Sequence, residues 1–405
     1  MCPVFGEGME SPMSRARWLQ ETRKMRFEES YAGWQEGRLT QADAGRLLGV
    51  SERTFRRQIG RFEAEGMQGL IDRRMAQVSS RRAPVDEVLG VQELYRLGFA
   101  GWNVKHFHTW YGREHGGARS YSWVKNALQQ GKLVVRSKTR GKHRKARERK
   151  PLAGMMLHQD ASTHAWVPEQ IWDLVVTMDD ATSEHTSMFF CPEEGTDSSF
   201  HGIGQTIARH GLFCSLYTDR GSHYFHTPEA GDHVDRSHLT QVGRALKQLG
   251  IEHIAAYSPE ARGRSERAFD THQGRLPREL ARAGITDMDA ANRYLEQVYL
   301  PNHNAEFALP APQPGSAFVP CIGVRLPDIL CTQFERTVGN DNCVNFEGHK
   351  LQIPAGNARP HYVKTRVRVH RYVDGTLALF HGPRRLADYD AQGQPMTLQE
   401  MKQAA

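Results

Sequence analysis

Long apolar runs are missing from this sequence. No stretch approaches the roughly 20 apolar residues that cross a bilayer. The opening MCPVFGEGMESPMSRARW holds no apolar segment of signal-peptide length. The expectation is a cytosolic chain with no membrane partner. Cysteine is scarce and scattered: Cys2, Cys191, Cys214, Cys321, Cys331 and Cys343 form no C-x-x-C pair. That argues against a zinc ribbon and against a disulfide framework. Histidine is plentiful, at 20 residues, yet the paired His and Cys spacings of zinc sites are absent. The histidines are therefore expected at surface and core positions. There is no repeat array, and one basic run is the only low-complexity tract.

What remains is globular. Hydrophobic residues make up 39% of 405 and charged residues 24%, ample for a core in two to four domains at roughly 100–200 residues each. The formal net charge of +7 permits a polyanionic partner, and the placement of the charge says more.

The stretch LTQADAGRLLGVSERTFRRQIGRFEAEG, Leu39 to Gly66, carries two helix starts. Thr40 with Asp43 fits a capping box. Gly49-Val50-Ser51 reads as a tight turn, and Ser51 caps a second helix with Phe55, Ile59 and Phe62 on one face. Two short helices across a Gly-containing turn make a helix-turn-helix, placed at 15–75. The second helix carries Arg53, Arg56, Arg57 and Arg61 on outer positions, suited to phosphates and guanine edges in a major groove. A weaker copy, or a plain helical bundle, spans 82–131, with Ser122 as the cap of its last helix.

Residues 132–152 form a basic linker: ten of the nineteen residues Lys132 to Lys150 are Lys or Arg. Lys142, Arg144 and Lys145 are its candidate phosphate contacts. From 153 the pattern turns to β-β-β-α-β-α-β-α, a mixed α/β sheet with helical flanks running to 300. Proline thickens over 301–330 and reads as a linker. The alternating segments of 331–392 read as a small all-β barrel with Lys364, Arg366, Arg368 and Arg371 on a basic face.

Three acids occupy positions where chemistry would want them. Asp160 ends the first expected strand, Asp219 ends the fourth, and Glu266 lies on the helix after the fifth. Clustered carboxylates repel unless cations neutralise them, which points to hard metals with oxygen ligands. Two such metals serve phosphoryl transfer. Asp179 and Asp180 compete, but their MDDATS setting favours a turn. Glu260 is the fallback for Glu266. Arg262, Arg264 and Arg267 surround Glu266 as candidate DNA contacts.

The blocks HQDAS, LYTDRGSHYF and YSPEARGRSERAF resemble the retroviral-integrase-like DDE transposases of bacterial insertion sequences, most of all the ISNCY family. The resemblance covers most of the chain. It implies a multidomain α/β fold: N-terminal helix-turn-helix helices, a ribonuclease H-like integrase core with a mixed sheet, and a C-terminal small β-barrel. It implies a triad of Asp160, Asp219 and Glu266, with Asp160 bridging two Mg²⁺ ions, Mn²⁺ substituting, and each other acid completing one ion. The implied partners are double-stranded DNA, as element terminal repeats and target, and further copies of the chain in a dimer or larger assembly on paired ends. The implied location is the bacterial cytoplasm at the nucleoid. A DNA-binding regulator without activity and a metal-dependent nuclease on the same fold are the alternatives. Two departures stand out. Between Asp219 and Glu266 lie 46 residues (266 − 219 − 1), read as an insertion from His226. Gly274 and Pro277 interrupt the helix after Glu266, where proline is expected to kink it.

Overall fold

A computed structural model describes residues 12–71, 83–136, 148–227, 233–235, 237–257, 259–355 and 359–396, with backbone alone for 12–18 and 259–262. The chain packs as two compact units, Met1–Gly90 and Val91–Ala405.

In the first unit, α1 (Pro12–Gln35) precedes α2 (Gln41–Leu48) and α3 (Glu52–Glu65). Thr40 caps α2 by accepting the Asp43 N–H at 3.1 Å. Gly49, at φ 66°, ends α2 in the left-handed region that glycine adopts at least cost. Ser51 then caps α3 through the Thr54 N–H. Phe27, Ala44, Phe55 and Ile59 form the buried core of this trihelical unit. The helix-turn-helix lies where the capping residues put it.

The second unit begins with a helical subdomain of α4 (Val85–Gly98, which starts in the first unit), α5 (Val104–His115) and α6 (Tyr121–Gln130). Phe99, Trp102, Phe107, Val124 and Leu128 fill its core. The cap of α6 is Ser120, which accepts the Trp123 N–H, and not Ser122. The helix starts one residue after Ser120, so Ser122 already has helical neighbours on both sides.

A five-stranded sheet follows, built from β1 (Leu157–Val167), β2 (Gln170–Asp179), β3 (His185–Cys191), β4 (Ser215–Thr218) and β5 (Glu252–Ala255). Its order is β3-β2-β1-β4-β5. The first three strands are antiparallel neighbours, while β4 and β5 run parallel to β1. The sheet is mixed, as expected. One face packs on α7 (Thr196–His210) and α8 (Gln241–Gln248) through Leu157, Ile203, Leu216 and Leu246. The other packs on α9 (Pro259–Arg282), α10 (Met288–Tyr294) and α11 (Leu300–Phe307) through Leu174, Val176, Phe269, Leu276 and Leu295. A π-helical turn, Leu295–Tyr299, joins α10 to α11. The α4–α6 subdomain docks on this second layer: His106 Nε2 lies 2.7 Å from Glu279, and Arg282 stacks over Phe99 and Trp110.

Three further expectations are corrected. Asp160 does not end its strand: it is the fourth residue of an eleven-residue β1. Pairing with β2 continues to Val167, beyond the polar Ser162-Thr163-His164 that suggests a turn. The linker does not begin at 301. Pro301 is the second residue of α11, directly after the π-helical turn that ends at Tyr299. The segment after Phe307 is strapped to the core, with Leu212 N–H donating to Val319 O at 2.7 Å and Ala317 N–H to Ala153 O at 2.7 Å. As expected, the helix carrying Glu266 runs on through Pro277, to Arg282. Finally, the C-terminal strands do not close into a barrel among the described residues. β6 (Thr332–Thr337), β9 (Arg366–Arg371), β10 (Leu377–His381) and β11 (Arg384–Tyr389) form an open sheet in the order β11-β10-β9-β6. β7 (Cys343–Phe346) and β8 (His349–Gln352) make a separate hairpin. These four-residue strands cover the shared core of Val344, Leu351, Val367, Val369 and Leu379 without strand pairing to the larger sheet, which they meet through the Tyr389 hydroxyl donating to Gln352 O at 2.7 Å.

Candidate active site

The site is built where the parallel half of the sheet meets the antiparallel half. β1 and β4 pair at Leu157↔Leu216 and His158↔Tyr217. Continued two residues past its last pair, that register would bring Asp160 level with Asp219. Asp219 follows the last residue of β4 directly. The cross-strand partner of Asp160 on β2 is Val176, which packs in the cluster against α9. Opposed residues share a face, so Asp160 lies on the α9 side.

The position of α9 along β1 is bracketed by two contacts. At one end Arg264 pairs with Asp180, which also holds His158 at 2.8 Å. At the other, Gln273 donates to Ser162 at 2.9 Å. Glu266 lies between Arg264 and Gln273 on the helix, as Asp160 lies between His158 and Ser162 on the strand. The structure thus runs the helix of Glu266 along the strand of Asp160, and Asp160 and Asp219 both act on the buried Tyr224. It does not gather all three into one tight group: among the described residues, the histidines His185, His272 and His303 alone come close enough to share an ion as they stand. Glu266 is exposed.

Local chemistry fixes both aspartates. Asp219 Oδ1 accepts the Gly221 N–H at 2.8 Å, which tightens the turn after β4. A Cβ on Gly221 would stand 3.0 Å from His223 and 3.1 Å from that carboxylate, so a larger residue there would crowd both side chains. Thr218 hydrogen-bonds both the Asp219 carbonyl and His253, at 2.9 and 3.0 Å. Asp160 Oδ1 accepts the Ala161 N–H at 3.1 Å.

Residues that sequence reasoning missed complete the surroundings. Tyr224 is buried, and its hydroxyl donates to Gln159 at 3.2 Å and Glu194 at 3.3 Å. Burial raises its pKa most, and the charges of Glu194, Asp219 and Asp160 raise it further. One hydroxyl thus senses three carboxylates, which marks the locality as strongly negative. His223 lies 3.6 Å from Glu194. The HYF that follows the Gly-Ser turn was a usable signal for Tyr224. Glu194, in the loop between β3 and α7, had none.

The competing acids turn inward. Asp179 accepts the N–H groups of Gly154 and Thr182, at 2.8 and 2.9 Å, the turn role its motif suggested. Asp180 is fully buried. Burial alone would raise its pKa, but His158, the Lys150 N–H and the charge of Arg264 together hold it below the usual carboxylate range. Arg264 is therefore engaged inside the protein, because a buried carboxylate outcompetes water for it. Arg267 is exposed, as are Arg53, Arg56, Arg57 and Arg61 on α3. Arg56 leans on Glu52 at 2.7 Å and Gln41 at 3.1 Å. Lys142, Arg144 and Lys145 lie outside the described residues, as do the side chains of Glu260 and Arg262.

Residues 31–83 match the winged helix-turn-helix family. Over 363 residues the chain is 27% identical to a Sinorhizobium fredii protein named "Putative transposase y4bF", covering 84% of this chain and 75% of that one. It is 29% identical over 244 residues to the transposase for insertion sequence IS1202 of Streptococcus pneumoniae, covering 58% of this chain and half the length of that protein. Among solved structures, the simian T-cell lymphotropic virus intasome in complex with PP2A regulatory subunit B56 gamma is similar at 14% identity, over 71% of this chain and 91% of that one, with a TM-score of 0.33. The HTLV-2 integrase catalytic core domain in complex with magnesium is similar at 17% identity, over 36% and 89%, with a TM-score of 0.27. Superpositions this loose carry no argument about chemistry. Among the described residues no helix is long and apolar enough to cross a membrane.

Proposed function

We propose that the chain is a DNA transposase of the acid-triad kind, which binds the ends of a mobile element and cuts and rejoins phosphodiesters at Asp160, Asp219 and Glu266. The observation that carries this reading is the β1–β4 register, which on continuation would bring Asp160 level with Asp219, with the helix of Glu266 running along β1. The relatives that match 84% and 58% of the chain support it.

The division of labour follows the elements. Residues 15–75 read the element end, with Arg53, Arg56, Arg57 and Arg61 of α3 in the major groove. Residues 82–131 and the basic stretch 132–152, through Lys142, Arg144 and Lys145, grip phosphates. Arg262 and Arg267 flank Glu266 toward the DNA, while Arg264 braces α9 through Asp180. The catalytic domain starts at 153 and takes in α11, so it runs to Phe307 rather than 300. The strap up to 330 and the β-module of 331–392 complete the chain.

The donor set fits two Mg²⁺ ions, with Mn²⁺ as substitute. Its carboxylate oxygens are hard ligands, and Tyr224 registers the negative field that a cation would offset. When bound, the ions supply charge neutralisation at the reacting phosphate. The chain's own part is positioning. Asp219 is held by its turn, Asp160 by the strand on either side, and Glu266 by a helix pinned at Arg264 and Gln273. Water attacks the phosphodiester at the element end and frees a 3′-OH; that hydroxyl then attacks target DNA, displacing one strand end. The protein acts on cytoplasmic DNA, at the nucleoid, as a dimer or larger assembly that joins two ends.

The test uses the full chain with end DNA. Asp160→Asn and Glu266→Gln are expected to lose cleavage and joining while end binding stays near the parent level. Cleavage at the parent rate in both would remove the triad. Loss in Glu260→Gln with activity retained in Glu266→Gln would move the third acid to Glu260.

A further inference from the structure

In the α9–α11 layer, six residues along the helix from Glu266, three histidines meet. His185 opens β3, His272 lies on α9 and His303 on α11. All three are buried, at 3%, 0% and 6% exposure, and their ligand-type nitrogens lie within 4.8 Å of one another. We propose that His185, His272 and His303 form a binding site for a first-row transition metal such as Zn²⁺, distinct from the carboxylate site.

The outer partners are those a metal-ligating histidine uses. His185 Nδ1 lies 3.1 Å from the Ser183 carbonyl, which accepts its proton and leaves Nε2 with a lone pair facing the cluster. His272 Nδ1 lies 3.0 Å from the Tyr299 hydroxyl, which leaves its Nε2 facing inward too. Ligating imidazoles commonly donate the other ring N–H to a carbonyl or similar acceptor, which fixes tautomer and orientation. The two Nε2 atoms are 3.0 Å apart, a separation that one N–H···N hydrogen bond or a shared cation satisfies. A shared proton serves that pair but does nothing for His303, which makes no hydrogen bond among the described residues. Its ring packs 4.4 Å from His185 and 4.7 Å from His272.

Size and chemistry agree. Zinc–nitrogen bonds of about 2.0–2.1 Å place tetrahedral ligands about 3.4 Å apart, which small side-chain movements reach from the observed spacing. A void of about 20 Å³ beside His303, lined also by Arg275, Tyr299 and Glu306, has room for one water. Neutral imidazoles suit Zn²⁺, Co²⁺ or Ni²⁺ and not Mg²⁺. Burial keeps all three rings neutral, the form that binds metal. The π-helical turn places Tyr299 and His303 so that both face His272, and such turns concentrate at functional positions. An ion here would fasten β3, α9 and α11 together, six residues along the helix from Glu266.

The experiment titrates chelator-stripped full-length protein with Co²⁺ in excess Mg²⁺ and follows visible absorption. It reads no activity, so its outcome is independent of the transposase reading. The expected result is about one Co²⁺ per chain with the strong visible bands of low-coordinate cobalt, bleached by Zn²⁺. Tyr299→Phe should weaken binding by about 10–100-fold, the usual effect of losing an outer partner, and His303→Gln should weaken it more. If His303→Gln fails to fold, the parent protein and Tyr299→Phe still decide. Absent bands in the parent, or bands of unchanged affinity in folded Tyr299→Phe and His303→Gln, would overturn the site and leave a proton-linked histidine stack.

Discussion

At the residue scale, buried polar groups decide where charge can exist. His370 on β9 shows this apart from the catalytic region. Its ring is 4% exposed, stacks on Phe380 at 4.1 Å between centroids, and has neither nitrogen hydrogen-bonded. Burial pushes its pKa down to about 4. An unfolded histidine titrates near 6.5. Above that pH both states are neutral and the histidine leaves stability unchanged. As pH falls from about 6.5 to about 4 the unfolded chain takes up a proton that the folded chain refuses, so stability drops. At about 1.36 kcal/mol per pKa unit, the loss reaches at most about 3 kcal/mol. Urea melts at pH 7 and pH 4.5 on His370→Gln should show a smaller acid loss than on the parent; equal losses would assign the effect to other groups. Asp219 illustrates the same scale at the candidate site. Its neighbour Gly221 was legible as a turn residue, and the structure gives the stronger reason that a Cβ there meets His223 and the carboxylate.

At the element scale, capping and periodicity were legible and long-range geometry was not. Thr40, Gly49 and Ser51 declare α2 and α3 locally, and the order of strands and helices in the core follows from apolar runs. The extent of β1 was hidden, because its second half is polar and is held in strand form by β2. The start of α11 was hidden because proline reads as a breaker unless its place at a helix start is known. The three histidines were illegible because their ligands come from β3, α9 and α11, far apart in sequence, and zinc spacing rules see only local pairs. Two element-level outcomes are expected. Gly202 lets α7 approach the sheet so closely that a Cβ would lie 2.4 Å from Gln159 Nε2, and Gln159 is itself held by Thr177 and Tyr224. Gly202→Ala should cost about 1–3 kcal/mol through overpacking in a denaturant melt, and a loss below about 0.5 kcal/mol would mean that Gln159 yields freely. On α3, changing Arg56 and Arg57 to Ala should weaken end binding and reduce the salt dependence by about 0.9 per lost phosphate contact. An unchanged slope in a binding titration would take α3 off the DNA.

At the scale of the whole molecule, the chain pairs a helix-turn-helix unit with a unit that carries a mixed sheet, a docked helical subdomain and an open β-module. The net charge of +7 favours capture of DNA by either unit. Joining two element ends needs two end-binding units, so light scattering with end DNA should give a dimer or larger complex; a strict monomer carrying paired ends would contradict the account. The central claim is that Asp160, Asp219 and Glu266 serve joining and not hydrolysis alone. The most direct measurement incubates the full chain with Mg²⁺, precut end DNA bearing a 3′-OH and a target plasmid, and counts covalent end-to-target products. The account predicts Mg²⁺-dependent joined products from the parent protein and none from Asp160→Asn. Target nicking without joined ends, or joining by Asp160→Asn at the parent level, would contradict it.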